Sequence, residues 1–149
     1  MNSEKKTVTT LENPKINIKT KLAGLWVVLM FFYLYNDVFT LHRPGFIEGI
    51  LAEEIEGTQF NQAFLLGAAI IMAIPSVMVF LSLTLKAKAN RWANIIVGIF
   101  YGGLLLFTIP GGIWAYYALY MIVEAVFIAL IVWYAWKWPK QEERRVVAT

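Results

Sequence analysis

Apolar residues along this chain form long, nearly continuous runs rather than alternating with polar residues. Four of these runs cover residues 22–41, 60–85, 92–109 and 113–136. Crossing a hydrocarbon core about 30 Å thick takes roughly 20 residues of helix at about 1.5 Å per residue. Backbone groups in lipid must be satisfied internally, and these runs lack the dyad alternation of barrel strands. The pattern therefore predicts four membrane-spanning helices.

Basic residues flank the four runs asymmetrically. Twelve of the thirteen Lys and Arg residues precede the first run, separate the second from the third, or follow the fourth. The positive-inside rule therefore predicts an all-α, four-helix transmembrane bundle with a cytoplasmic N-terminus and a cytoplasmic C-terminus. We expect a cytoplasmic polar tail over residues 1–20, a membrane domain over 21–138 and a cytoplasmic basic tail over 139–149. The first run is too long for the core of a cleavable signal, so we expect it to remain.

Composition narrows the class further. Hydrophobic residues make up 59% of the chain and charged residues only 15%, whereas soluble domains carry about 25% charged residues. The chain has no cysteine and one histidine, which cannot build a bis-His haem or a conventional zinc site. No phosphate loop, nucleophile elbow or metalloprotease motif occurs. We predict no catalytic residues, metal or cofactor, and we expect the basic tails to meet the bilayer rather than nucleic acid.

The longest loop lies between the first two runs, on the side opposite the tails. Apolar residues recur there at helical spacing, which predicts a short amphipathic helix on the outer membrane face. Pro44 suits its start and Gly57 its end. We interpret this helix as a lid over the bundle; the alternative is a partner-binding surface. The apolar residues are Phe46, Ile47, Ile50, Leu51 and Ile55.

Two carboxyls interrupt the apolar runs. Glu124 lies eleven residues into the fourth run, about 17 Å from its outer end and near the bilayer midplane. A charged group there costs roughly 2.5–3.5 kcal/mol on insertion scales, so Glu124 is expected to face the bundle interior. We interpret it as a polar site for a proton, a cation or a small ligand; the alternative is a helix-locking hydrogen bond. Its candidate partners are Tyr120, Tyr117, Tyr101 and Tyr33.

Two further polar clusters lie near the predicted interfaces. Near the outer ends of the first two helices, we predict a site at the mouth of the bundle, formed by Asn36, Asp37, Asn61 and Gln62. At the inner loop, polar and basic residues are candidate contacts to lipid headgroups; helix capping and snorkelling are the alternative. This second set is Asn90, Arg91, Trp92 and Asn94.

Helix-breaking and small residues indicate how the helices pack. Pro75 is expected to kink the second helix and free a carbonyl near Ile71, which Ser76 could satisfy. Residues 110–112 predict a tight turn between the third and fourth helices. Two faces of small residues predict close helix packing, and tryptophans near the helix ends predict interfacial belts. The small residues are Gly67, Ala68, Ala69, Ala73, Gly98, Gly102 and Gly103, and the tryptophans of the cytoplasmic belt are Trp26, Trp92, Trp133, Trp136 and Trp138.

The sequence also resembles a known family. Four segments carry the resemblance: LWVVLMFFYLYNDVF at 25–39, FLLGAAIIMAIP at 64–75, KANRWANIIVGI at 88–99 and WYAWKWP at 133–139. They resemble an uncharacterised bacterial family of small four-span membrane proteins, classed as a domain of unknown function. The resemblance implies a multi-pass protein of the bacterial inner membrane, with no reaction to transfer. A looser similarity of size and span count links the chain to DoxX-like membrane proteins.

These observations favour a small transport-related or ligand-binding membrane protein that uses Glu124 and Asp37. Four spans rarely enclose a pore alone, so conduction would require a homo-oligomer. The alternative is a non-enzymatic accessory or structural protein that stabilises a partner membrane protein. An enzyme acting on a lipid or quinone is a third hypothesis, disfavoured because no nucleophile is recognisable.

Overall fold

The four predicted membrane helices are present in a computed structural model, which describes residues 14–55, 57–107 and 114–139. Within these residues the four long helices are long and apolar enough to cross a membrane, which confirms the all-α, four-span class. The predicted turn at 110–112 and most of both predicted tails lie outside the described residues. The elements are α1 (Ile18–Leu41), α2 (Phe46–Leu51), β1 (Glu54–Ile55), β2 (Thr58–Gln59), α3 (Gln62–Thr84), α4 (Ala87–Phe107) and α5 (Ala115–Trp136).

Local side-chain chemistry sets the helix starts. The side chain of Asn17 accepts a hydrogen bond from the backbone N–H of Lys19 at 2.9 Å, and Asn61 accepts one from Phe64 at 2.9 Å. Each asparagine satisfies a donor that the first helical turn leaves unpaired. α4 begins at Ala87, five residues before the predicted span, because charged side chains at a helix end can extend toward water while the backbone stays helical.

The long helices pack in the order α3, α1, α5, α4, and α3 and α4 contact each other less closely than the other neighbours do. At one end, the Lys19 ammonium donates to the carbonyl of Leu83 at 3.2 Å. We call this end, where α1 begins and α5 ends, the base. At the other end, the hydroxyls of Thr40 and Tyr116 are 3.0 Å apart. We call that end the mouth.

The buried hydrophobic core lies mostly in the half of the bundle nearer the base. Leu22, Leu29 and Ile131 are fully buried there. The outward faces of the same helices are apolar as well: Phe80 on α3 is 65% exposed and Ile122 on α5 is 64% exposed. Such a surface suits a lipid solvent, in which apolar side chains on the outside have no reason to be covered.

Small residues have different roles on the two helices for which packing was predicted. On α4 the prediction is confirmed at two of its three glycines: a Cβ at Gly98 would lie 2.7 Å from Val132 Cγ2, and one at Gly102 would lie 3.6 Å from Ile128 Cγ2. At Gly103 no atom lies within 4 Å of the Cβ position. On α3 the prediction is wrong at Gly67, which is exposed and has no atom within 4 Å of its Cβ position. Ala69 and Ala73 are exposed as well, whereas Ala68 is half-buried.

The loop between α1 and α3 differs from its prediction. The helix α2 ends at Leu51, well before Gly57, and the antiparallel hairpin of β1 and β2 follows it. Glu53 and Gly57 both adopt positive φ, at 59° and 82°, and such residues end a helix or form a turn. Gly49 allows the hairpin to pack on α2, since a Cβ there would lie 2.8 Å from Ile55 Cγ1.

Candidate intramembrane binding site

The half of the bundle nearer the mouth contains a cavity of about 310 Å³ between the four long helices. Its walls are apolar on α3 and on part of α4, and polar on α1 and α5. The cavity joins two clusters that the sequence placed separately, the one at mid-membrane and the one at the outer mouth. The polar lining residues are Tyr33, Asn36, Asp37, Thr40, Tyr101, Tyr117 and Glu124.

Helical spacing explains why these residues share one space. On α1, Tyr33, Asn36, Asp37 and Thr40 follow one another at steps of three, one and three residues. Residues three, four and seven apart lie on one face of a helix. On α5, Tyr117 and Glu124 are seven residues apart and also share a face. Thr40 is not among the predicted site residues, although its spacing of four residues from Asn36 places it on the same helix face.

Glu124 is a deeply buried carboxyl residue in the cavity wall. The residue is only 5% exposed, and it lines the cavity. Among the residues that the structure describes, its carboxyl has no hydrogen-bond or ion-pair partner. A helix-locking hydrogen bond, the alternative that the sequence left open, is therefore not formed in the described part of the chain. An unpartnered carboxyl that borders a cavity is available to a ligand.

A second unpaired polar atom lies on α1. The Oδ1 atom of Asn36 is buried and has no hydrogen-bond partner within the described ranges, and the Asp37 carboxyl is next to it in the cavity wall. Thr40 is engaged differently, because its hydroxyl donates to the Asn36 carbonyl at 2.8 Å. The cavity therefore offers acceptor oxygens from two helices, α1 and α5.

The helix α4 contributes Tyr101 to the cavity wall, and a carbonyl that Pro75 leaves unpaired in α3 holds this tyrosine in place. Pro75 has no N–H, so the carbonyl of Ile71, four residues earlier, lacks its helical donor. The hydroxyl of Tyr101 on α4 donates to that carbonyl. The hydroxyl of Ser76, the predicted partner of this carbonyl, donates instead to the Met72 carbonyl at 3.1 Å. The ring of Tyr101 is thereby held against the cavity.

Three of the predicted site residues lie elsewhere. Tyr120 does not line the cavity; its ring packs against Phe32, with centroids 5.4 Å apart. Asn61 caps α3 and Gln62 is exposed as its first residue, so neither joins Asn36 and Asp37. Sequence spacing identified the helices but not their rotation about their own axes, which decides whether a side chain faces the cavity.

At the base, Asn90 and Asn94 are fully buried, which does not fit their predicted contact with lipid headgroups. Asn94 Oδ1 accepts from the Trp26 indole at 2.7 Å and from the Ser82 hydroxyl at 3.3 Å. Asn90 Nδ2 donates to the Ser82 carbonyl at 2.6 Å, and Asn94 Nδ2 donates to Asn90 Oδ1 at 2.7 Å. Trp26 is likewise 0% exposed and is not part of an interfacial belt. This network joins α1, α3 and α4 inside the bundle.

Of the other two members of that predicted set, Arg91 is half-buried and Trp92 is exposed. The Arg91 guanidinium lies 5.9 Å from the Trp92 ring and 5.7 Å from the Trp136 ring. Trp92 is 48% exposed. A basic group among exposed tryptophans at a helix end is typical of the lipid interface. Headgroup contact by Arg91 and Trp92 stays a prediction.

Residues 12–145 match the model of the family of unknown function DUF6326. The chain belongs to this family. No curated protein and no solved structure matches the chain significantly, and the looser similarity to DoxX-like proteins is not shown. The family assignment agrees with the resemblance found in the sequence but assigns no activity. Within the described ranges of this DUF6326 protein, no group of three or more His, Asp or Glu residues could hold a metal ion.

Proposed function

We propose that this DUF6326 protein is a transport-related membrane protein that takes a small cation or polar ligand into the cavity between its helices. The observation that carries the proposal is the joining of Glu124 and Asp37 in one cavity. Ionisable groups inside a membrane are expensive and are retained where they line substrate or ion pathways. A purely structural carboxyl would be expected to have a partner, and Glu124 has none among the described residues.

The charge distribution gives the proposal a direction. The residues of the base include Lys19, Lys21, Lys86, Lys88 and Lys137, whereas Arg43 lies near the mouth. By the positive-inside rule, the base faces the cytoplasm and the mouth faces outward. In a bacterial cell this orientation in the inner membrane would open the cavity toward the periplasm.

Flux through reconstituted protein tests the proposal. The full chain in liposomes should carry at least one member of a panel of protons, sodium, potassium and small organic solutes faster than protein-free vesicles do. We expect Glu124→Gln to lower that flux at least tenfold, since the amide keeps the shape of the side chain and removes its charge.

Glu48→Gln is the matched control, because Glu48 lies on α2 and does not line the cavity. It should leave the flux unchanged. The proposal fails if no member of the panel crosses faster than through empty vesicles, or if Glu124→Gln and Glu48→Gln behave alike. Co-purification of one specific membrane protein together with an absence of flux would favour the accessory role instead.

A further inference from the structure

The lining of the cavity is selective for charge. Its polar residues include two carboxyls, Glu124 and Asp37, and no Lys, Arg or His. In a partly enclosed site between helices, carboxylates with no basic residue in the lining attract a cation and disfavour an anion. No lining residue supplies a compensating positive charge, so a cationic ligand fits this lining.

Aromatic rings line the same space. Tyr33, Tyr101 and Tyr117 all border the cavity, and the Tyr33 and Tyr101 ring centroids lie 6.2 Å apart with their planes tilted by 36°. Because the Tyr101 hydroxyl is held by the Ile71 carbonyl, its ring is fixed in place. Ring faces attract quaternary and protonated ammonium groups, and combinations of several rings are the usual form of an ammonium-binding site.

The remaining walls of the cavity suit the carbon substituents of an organic ligand better than a bare metal ion. Ile71, Leu104 and Leu105 are apolar lining residues, and hard inorganic cations such as calcium take six or more oxygen ligands. No group of three metal-ligating residues occurs in the described part of the chain. A volume of about 310 Å³ is at the lower end of the range for small-molecule pockets. The ligand should be small and partly apolar.

We propose that the ligand of this cavity is a small organic ammonium ion, with its cationic group between Glu124 and Asp37 and its carbon substituents against the tyrosine rings and the leucines of α4. This assignment rests on the proposed function and names its substrate class. It requires the charge of Glu124 and the ring of Tyr33, but not the hydroxyl of Tyr33.

Equilibrium dialysis of radiolabelled choline against the full chain in nanodiscs tests the assignment. Dimethylbutanol, in which carbon replaces the ammonium nitrogen, is the matched uncharged ligand and should compete at least tenfold more weakly than unlabelled choline. Potassium should not displace the label. We expect Glu124→Gln to weaken choline binding at least tenfold and Glu48→Gln to leave it unchanged.

A second pair of variants guards against loss of folding. Tyr33→Phe keeps the ring and should retain choline binding within about twofold, whereas Tyr33→Leu should weaken it at least fivefold. Circular dichroism in the same nanodiscs should show unchanged helicity in each variant. The assignment is overturned if choline does not bind, if dimethylbutanol or potassium competes as well as choline, or if Glu124→Gln binds choline normally. In any of those cases, Glu124-dependent flux of another solute would still support the proposed function.

Discussion

The hydroxyl of Tyr101 on α4 donates a hydrogen bond to the backbone carbonyl of Ile71 on α3. That carbonyl is the one that Pro75 leaves without a helical donor. The bond connects two helices that otherwise pack less closely than their neighbours. The carbonyl that the proline leaves unpaired in α3 thus accepts a hydrogen bond from a side chain of α4. The same tyrosine borders the cavity with Glu124.

Removing the Tyr101 hydroxyl should destabilise the protein in a way that depends on Pro75. We expect Tyr101→Phe to lower the free energy of unfolding by about 1 kcal/mol, the scale of a hydrogen bond between membrane helices. In a Pro75→Ala background, the residue at position 75 supplies the missing N–H, and the effect of Tyr101→Phe should fall below about 0.5 kcal/mol. Denaturant unfolding in detergent micelles measures this cycle.

Tyr35→Phe is the control for that cycle, because Tyr35 is 53% exposed on the outside of α1. It should change stability by less than about 0.5 kcal/mol. An equal cost of Tyr101→Phe with and without Pro75 would show that the hydroxyl does not compensate for the proline.

The network at the base should be a second point of stability. Asn94→Leu removes the acceptor for the Trp26 indole and the Ser82 hydroxyl, and it leaves these two buried donors unpaired. We expect a loss of about 1–3 kcal/mol in unfolding free energy. Trp92→Phe, at an exposed position on the same helix, should have little effect. Similar stabilities of the two variants would contradict the role given to Asn94.

Close packing of α4 on α5 depends on the absence of a side chain at Gly98. Gly98→Ala places a methyl group 2.7 Å from Val132 Cγ2, so the helices must move apart or strain, at a cost of about 1–3 kcal/mol. Combining it with Val132→Ala should recover part of that loss. Gly67→Ala meets no atom within 4 Å and should be neutral or slightly stabilising, since Ala favours helix. Thermal unfolding in one detergent measures the stabilities of Gly98→Ala, of Gly98→Ala combined with Val132→Ala, and of Gly67→Ala.

Sequence patterns predicted the helices well because lipid imposes a length and an apolar composition on every span. They also identified Glu124 and Asp37, since carboxyls are conspicuous in such runs. They could not show that Tyr101 rather than Ser76 satisfies the Ile71 carbonyl. That pairing is between different helices and depends on their rotation and relative height, which no local pattern records.

The errors have a similar origin. Asn90 and Asn94 lie among basic residues close to a predicted interface, a position that suits lipid contact or helix capping, whereas their amides face each other and Trp26 inside the bundle. The apolar spacing predicts a helix where the hairpin after α2 lies, because Ile55 continues the helical spacing of the preceding apolar residues. The positive φ of Glu53 was not signalled by residue type, since glutamate rarely adopts it.

Glu124 should lower the thermal stability of the folded protein. A buried carboxyl without a protein partner is unfavourable, so Glu124→Leu should raise the apparent melting temperature in detergent while abolishing flux. Glu48→Leu, on the short exposed α2, should not raise it. A lower melting temperature for Glu124→Leu would indicate that the carboxyl has a structural role, as a helix-locking bond would require.

The cavity beside Glu124 should open to water at the mouth of the bundle if it admits a ligand from outside. Met72 lines the cavity. Because the native chain has no cysteine, Met72→Cys introduces a single thiol at that position. Ile70→Cys, two residues away and 56% exposed on the outside of α3, introduces one that faces lipid.

A membrane-impermeant methanethiosulfonate reagent added to intact cells measures the difference between these two positions. We expect Met72→Cys to be labelled from outside and Ile70→Cys to react only after solubilisation and denaturation. If Met72→Cys stays unreactive in intact cells and in inverted vesicles but reacts once denatured, the space beside Glu124 is closed to water and the account is wrong.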